Sequence, residues 1–207
     1  MKANPVGWHA IIVGAWNTAI LTPDGIRRRL FELPDDASVE IEVAIDRPGP
    51  YRVRHDGITI VPGPSSLEVA PREQTVESIA DACTLLRKAL NALPETPVTA
   101  AGVNFRYSVS ENSDDLIDLL DTNLDGKLSD HNFSIKRRST RRSLTLDNGV
   151  LNIDISTNED QSGSVLFNFH CESSDPKTLD AWLDNTELFY SEVNKVMSIL
   201  SMDQEDN

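Results

Sequence analysis

A chain of 207 residues with 39% hydrophobic and 25% charged side chains has the make-up of one large or two small globular domains, which excludes the disordered class. Its 33 acidic and 19 basic residues give a formal net charge of -14. A field of that sign repels phosphate backbones and anionic lipid, so it disfavours non-specific nucleic-acid binding and membrane docking.

The stretch Met1 to Leu21 holds a short apolar run, Ala10 to Trp16, that superficially suggests a signal peptide. The run is too short, is followed by Asn17-Thr18, and leads to no convincing cleavage pattern, so it reads as a buried strand. No stretch reaches the roughly 20 apolar residues of a membrane span, and a soluble, cytoplasmic protein is the default expectation. Thr22-Pro23-Asp24 starts a short helix: Thr caps it, Pro costs no needed N–H at the first position, and the acid suits the positive helix end. Arg27-Arg28-Arg29 sit on that helix as a solvated basic run. Ser38 to Ile45 alternates Val39, Ile41, Val43 and Ile45 with Glu40, Glu42 and Ala44, the period of a strand with one wet face. A turn at Asp46 to Pro50 follows, then Tyr51–His55 and Ile58–Val61 flank Asp56-Gly57, a hairpin signal. Leu67 to Val69 is a further strand. Val76, Ile79, Cys83, Leu86, Leu90 and Leu93 then recur at the helical period, and Pro94 ends the helix.

From Val98 the order begins again. Val98 to Val109 is a strand with Val103, Phe105 and Tyr107 on one face, and Ser113-Asp114-Asp115 opens a short helix through Leu116, Leu119 and Leu120. Phe133 and Ile135 read as one strand and Leu144 and Leu146 as another. Carrying the alternation of Leu144 and Leu146 backwards puts Ile135 on the wrong face, so Arg138 to Arg141 is expected at a loop tip. After the Asp147-Asn148-Gly149 turn, Leu151, Ile153 and Ile155 alternate. A polar loop at Asn158–Gly163 leads to a strand with Val165, Phe167, Phe169 and Cys171. Asp175-Pro176 caps a last helix with the stripe Leu179, Trp182, Thr186, Phe189, Val193, Val196 and Leu200, and Met202 to Asn207 is a polar tail.

The halves match in order, offset by about 90 to 100 residues. The expectation is an α+β fold of two tandem β-α-β4-α units, residues 1–95 and 96–207, either separate or continuous, with an antiparallel sheet and long helices packed on one of its faces. That element order resembles the TATA-box-binding-protein fold, in which two such units share one curved sheet. The resemblance implies an architecture and no function, since none of that family's sequence motifs is present and the charge has the wrong sign.

Chemistry-bearing patterns are few. Asp121, Asn123 and Asp125, with Gly126 at the sixth position and Leu128 at the eighth, fit the first two-thirds of a calcium loop. Asn132 stands where the bidentate Glu belongs, and a plain turn needs the same residues. Calcium is thus the one cofactor the sequence suggests. Lys136, Arg137, Arg138, Arg141 and Arg142 concentrate five bases in an acidic chain, suited to phosphate or to an acidic partner surface, or to pairing with the protein's own carboxylates. His9, His55, His131 and His170 have no ligand-spaced partners. Trp8, Trp16, Phe105 and Tyr107 line either the core or a concave binding face. Cys83 and Cys171 are too few for a disulfide framework and read as buried thiols, with one bridge between the halves as the alternative. No nucleophile elbow, phosphate loop or Rossmann glycine pattern occurs. The resulting expectation is a non-enzymatic binding or assembly protein acting through protein–protein contacts, with a protein partner or a second copy of itself. The alternatives are a nucleic-acid or nucleotide binder using Lys136–Arg142, and an enzyme with a dispersed site.

Overall fold

Alternating apolar residues build the strands and helical-period stripes the helices, in an order that the computed structural model gives for residues 2–46, 49–109, 114–158, 162–200 and 203–204. The elements are β1 (Lys2–Pro5), β2 (His9–Gly14), α1 (Pro23–Arg29), β3 (Glu40–Glu42), β4 (Arg52–His55), β5 (Ile58–Pro62), β6 (Ser66–Pro71) and α2 (Val76–Ala92). There follow β7 (Val98–Val109), α3 (Asp114–Leu120), α4 (Asn123–Asp130), β8 (Arg137–Leu146), β9 (Gly149–Asn158), β10 (Gly163–Glu172), α5 (Pro176–Leu183), α6 (Thr186–Ile199) and β11 (Asp203–Gln204). The Thr22 hydroxyl caps α1 by accepting from the Gly25 N–H, Thr75 caps α2 through the Ser78 N–H, and the Asp175 carboxylate caps α5 through the N–H groups of Lys177 and Thr178. Ser113, Arg47 and Pro48 of the expected turn, residues 159–161 of the Asn158–Gly163 loop and most of the C-terminal tail lie outside the described residues.

The strands join in one sheet ordered β3-β4-β5-β6-β2-β7-β10-β9-β8, with β1 beside β7 and β11 beside β1. Every pairing is antiparallel except the short β1–β11 contact. The protein is therefore an α+β fold with a large, essentially antiparallel sheet and, among the described residues, six helices. One face of the sheet is the core: Ala10 and Ile12, Leu67 and Val69, Val103, Phe105 and Tyr107, Leu151, Val165, Phe167 and Phe169 are all buried there. Long helix α2 covers β6 and β2, and α5 and α6 pack beside it. Aromatic rings tie the layers together. Trp8 meets Phe105 edge-on at 4.9 Å, Phe105 meets Phe169 at 5.9 Å, and Phe169 stacks on Phe189 of α6 at 4.7 Å. Trp8, Trp16, Phe105 and Tyr107, left open in the sequence between core and binding face, are core.

Four expectations need correction. The strand expected over 38–45 shrinks to Glu40–Glu42 at the sheet edge, where Ile45 is 96% exposed; Ile41, Val43 and Ile45 of its apolar alternation stay exposed, with no helix among the described residues covering them. The last helix is two, α5 and α6, broken at Asp184–Asn185. The stripe survives the break, because Leu179, Trp182, Thr186, Phe189 and Val193 are all buried. Residues 137–146 form one uninterrupted ten-residue strand, so the loop tip at Arg138–Arg141 does not exist. Ile135 carries no parity with Leu144 and Leu146 because β8 begins only at Arg137, which leaves Ile135 outside it, and because an edge strand can be wet on both faces. With that strand unbroken, three strands follow β7 where four follow β2, and two short helices replace one, so the second half is not a β-α-β4-α unit.

The tight β8–β9 hairpin depends on Gly149, whose φ is +153° and whose added Cβ would collide with the His170 carbonyl oxygen. Gly149→Ala is expected to lower unfolding free energy by more than about 1 kcal/mol with an unchanged far-ultraviolet spectrum, as measured by urea titration.

Candidate functional site

Each site begins from the strand period. Residues opposite one another across a pair share a face, so Leu144 opposite buried Leu151 puts Leu144, Arg142, Thr140 and Arg138 on the helix side of β8. Arg137, Ser139, Arg141 and Ser143 then lie on the other, open face. Lys136 precedes the strand and is exposed. The five bases read from the sequence as one group are therefore divided between two faces of an edge strand. Arg138 reaches back to α4, where its Nε donates to Asp125 Oδ2 at 2.5 Å. Arg141 grips Asp154 of β9 with two bonds, Nε to Oδ1 at 2.6 Å and Nη2 to Oδ2 at 2.7 Å. Arg142 donates to Thr140 Oγ1 and to the Arg141 carbonyl. Arg137 has no carboxylate within 4.0 Å among the described residues, and neither does Arg142.

The calcium-like segment takes a different shape from the loop its residues resemble. Helix α4 starts at Asn123, straight after Thr122, and runs through Gly126 to Asp130. Asn123 and Asp125 are two helical positions apart, about 200° around the axis, so their oxygens do not converge. Asp125 is instead held by Arg138 and by the Thr122 hydroxyl at 3.1 Å, and the Asp121 carboxylate accepts from the Thr122 N–H at 2.9 Å. Among the described residues no group of three or more His, Cys, Asp or Glu side chains is placed to hold a metal. The signal for a helix was present: Thr122-Asn123-Leu124-Asp125 has the Thr-x-x-acid spacing of a capping box.

The open face holds what the sequence reading did not anticipate. Across β2, β7, β10, β9 and β8, one register row is His9, Asn104, Asn168, Asn152 and Ser143. These side chains form a continuous chain. Ser143 Oγ donates to Asn152 Oδ1 at 2.7 Å, Asn152 Nδ2 to Asn168 Oδ1 at 3.1 Å, and Asn168 Nδ2 to Asn104 Oδ1 at 2.9 Å. Asn104 Nδ2 then lies 3.1 Å from His9 Nε2, and His9 Nδ1 lies 3.1 Å from the Gly7 carbonyl oxygen. The direction is forced at one end. A carbonyl only accepts, so Nδ1 of His9 carries a proton, and with Asn104 Nδ2 donating, Nε2 accepts and every amide faces the same way. Two rows away, Ser108, Ser164, Ser156 and Ser139 stand side by side, with the Ser156 and Ser164 hydroxyls 3.0 Å apart. Between these rows a depression of roughly 550 Å³ is lined by Arg106, Arg137, Arg141, Asp154, Ser156 and Ser164, among others. A sequence reader could have found these rows only by knowing the strand register, since no two members are close in the chain.

The other groups singled out from the sequence are placed as follows. His170 lies on the open face 3.4 Å from Glu172, while Cys171, its neighbour, faces the core. Cys83 and Cys171 are both free and buried, and burial pushes the Cys83 thiol up to about 11. Arg27 of the smaller basic run is buried and paired with Asp24 and Asp35. A larger hollow, roughly 880 Å³, lies beside the Asp56-Gly57 turn, but its Arg54 and His55 are already matched by Glu42 and Asp56.

Compared with protein-family models, curated proteins and solved structures, the chain has no match to any of the three. The likeness to the TATA-box-binding-protein fold is one of expected element order, and the second half departs from that order.

One outcome follows from this geometry. The Arg138 guanidinium beside Asp125 holds its carboxyl below the usual carboxylate range. A carboxyl lowered on folding adds stability above its unfolded pKa, and that contribution is lost as pH falls through the folded value. Acid should therefore loosen α4 from β8 only below the ordinary carboxylate range, and Asp125→Asn should loosen it already at neutral pH, read as proton-exchange rates in α4.

Proposed function

We propose that the protein is a binding module acting through protein–protein contacts, and that strand β8 receives an extended acidic segment of its partner. The observation that carries this reading is the place of β8 in the sheet. It is a ten-residue strand at the end of the strand order, so among the described residues one side of its backbone has no strand partner, and it bears Arg137, Arg138, Arg141 and Arg142 in a chain of net charge -14. A peptide added there gains main-chain hydrogen bonds, and its alternate side chains fall beside Arg137 and Arg141 on one face and Arg142 on the other. Like charges oppose the pairing of two β8 strands from two copies, which favours a different, acidic segment.

The architecture supports a second part of the reading, that the chain is an internal duplication with its two halves, 1–95 and 96–207, sharing one sheet. Outward from the central β2–β7 pair the order is β6, β5, β4 on one side and β10, β9, β8 on the other, each half followed by helices on the core face. The extra edge strand β3 and the helix pairs α3–α4 and α5–α6 mark where the halves differ.

A fluorescent peptide of alternating Glu and Val tests the binding reading against its Lys-Val counterpart. The Glu-Val peptide is expected to bind, to shift β8 amides most, and to lose at least about tenfold in affinity with Arg137→Glu plus Arg142→Glu or on raising salt from about 50 to about 300 mM. Equal binding of the Lys-Val peptide, or shifts confined elsewhere, would overturn it. The nucleic-acid reading rests on the same arginines, and a single-stranded oligonucleotide binding more tightly than the Glu-Val peptide would favour that reading instead.

A further inference from the structure

We infer that the open face carries an oxyanion site of the phosphate class, made by the guanidinium groups of Arg106 on β7 and Arg137 on β8 and the hydroxyls of Ser139, Ser156 and Ser164. The depression of roughly 550 Å³ that these residues line lies over β7, β10, β9 and β8. Its charge is the first argument. Arg27, Arg28, Arg52, Arg54, Arg87, Arg138 and Arg141 each have a carboxylate within 4.0 Å, as an acidic chain makes easy. Arg106 and Arg137 have none among the described residues, and both are exposed on this face. Asp154, the carboxylate in the lining, is taken by both arms of Arg141, so the pair is neutral and two positive charges remain.

Donor chemistry is the second argument. Arginine offers only donors, and two hydroxyls that share one hydrogen bond, as Ser156 and Ser164 do at 3.0 Å, keep one hydrogen free to give. Ser139 stands opposite Ser156 across the β8–β9 ladder and supplies a further hydroxyl. A neutral sugar or amide needs acceptors as well as donors, and a single carboxylate presents one charge and two oxygens. A tetrahedral dianion presents acceptors on every side and balances both guanidiniums. The same chemistry is supplied by a small free phosphate ester or by a phosphorylated side chain of a segment lying along β8.

This site does not depend on strand addition at β8. Arg106 belongs to β7, with β10 and β9 between it and the edge strand, so it is out of reach of main-chain pairing there.

The experiment is a nitrogen–proton spectroscopic titration of the whole protein with inorganic phosphate at constant ionic strength, with acetate as the control anion. Saturable shifts are expected at Ser139, Ser156 and Ser164 and at the Nε–H signals of Arg106 and Arg137, with acetate giving none. Arg106→Gln should weaken phosphate at least about tenfold while leaving the affinity for the Glu-Val peptide unchanged. Loss of the peptide alone would remove the strand-addition reading and leave this site standing. Linear shifts that never saturate, equal shifts with acetate, or phosphate binding unchanged in Arg106→Gln would overturn the oxyanion site. Phosphoserine and a phosphoserine peptide then distinguish the sources: tighter binding of the peptide assigns the anion to a partner segment, and equal binding assigns it to a free ester.

Discussion

The pairing of β2 with β7 is the constraint on which the rest of the molecule depends. These two strands lie at the middle of the sheet and join the part built from β3 to β6 to the part built from β8 to β10. Their inward residues, Ala10 and Ile12 with Val103 and Ala101, are fully buried, and Phe105 and Tyr107 continue the same face into the aromatic cluster under Trp8. Burial of this order, at about 25 cal/mol per Å² of apolar surface, is what fixes a strand's register, because a slip of one residue would turn every one of these side chains to water. The register fixed on the core face also sets the open face. His9 meets Asn104 and Ser108 meets Ser164 because Ala10 meets Val103 and Phe105 meets Phe167. The polar rows are thus a consequence of the packed side of the sheet.

The open face has a division of labour between fixed and free groups. The His9–Asn104–Asn168–Asn152–Ser143 chain uses every amide twice, as acceptor and donor, and so stiffens the five strands it crosses. The Arg141–Asp154 and Arg138–Asp125 pairs fasten β8 to its neighbours on both faces. Among the described residues, Arg106 and Arg137 are left over on this face. In a chain with a large surplus of carboxylates, unpaired guanidiniums beside unpaired sheet edge are the features that packing does not account for, and they are where binding is proposed.

Much of the architecture was legible from residue patterns, and the exceptions have definite causes. Strand β7 matched its predicted bounds because both ends are marked, by Pro97 and by the polar run after Val109. Helix α2 was legible from its stripe, and α1 from Thr22-Pro23-Asp24. The misread strands fall at the sheet edges. Alternation reports burial, and at β3 the alternating residues are exposed, while at β8 the buried neighbour is absent from one side, so the pattern of Arg138 to Arg142 carried no register. The basic cluster was visible as composition; its splitting over two faces, and the company of Arg106 some 30 residues earlier, required the pairing of β7 through β10 and β9 to β8. The Asp121–Asp125 segment allowed two readings because oxygen-rich residues serve helix starts and metal loops alike.

Native-state hydrogen exchange on the dilute protein tests the central claim, a sheet pinned at β2–β7 with its β8 edge open. The account predicts that amides of β2, β7 and β10 exchange last and together, as one cooperative unit, while alternate amides of β8, those not bonded to β9, exchange at rates near those of exposed peptide. Uniform slow exchange along β8, or β2 and β7 opening independently of each other, would contradict it.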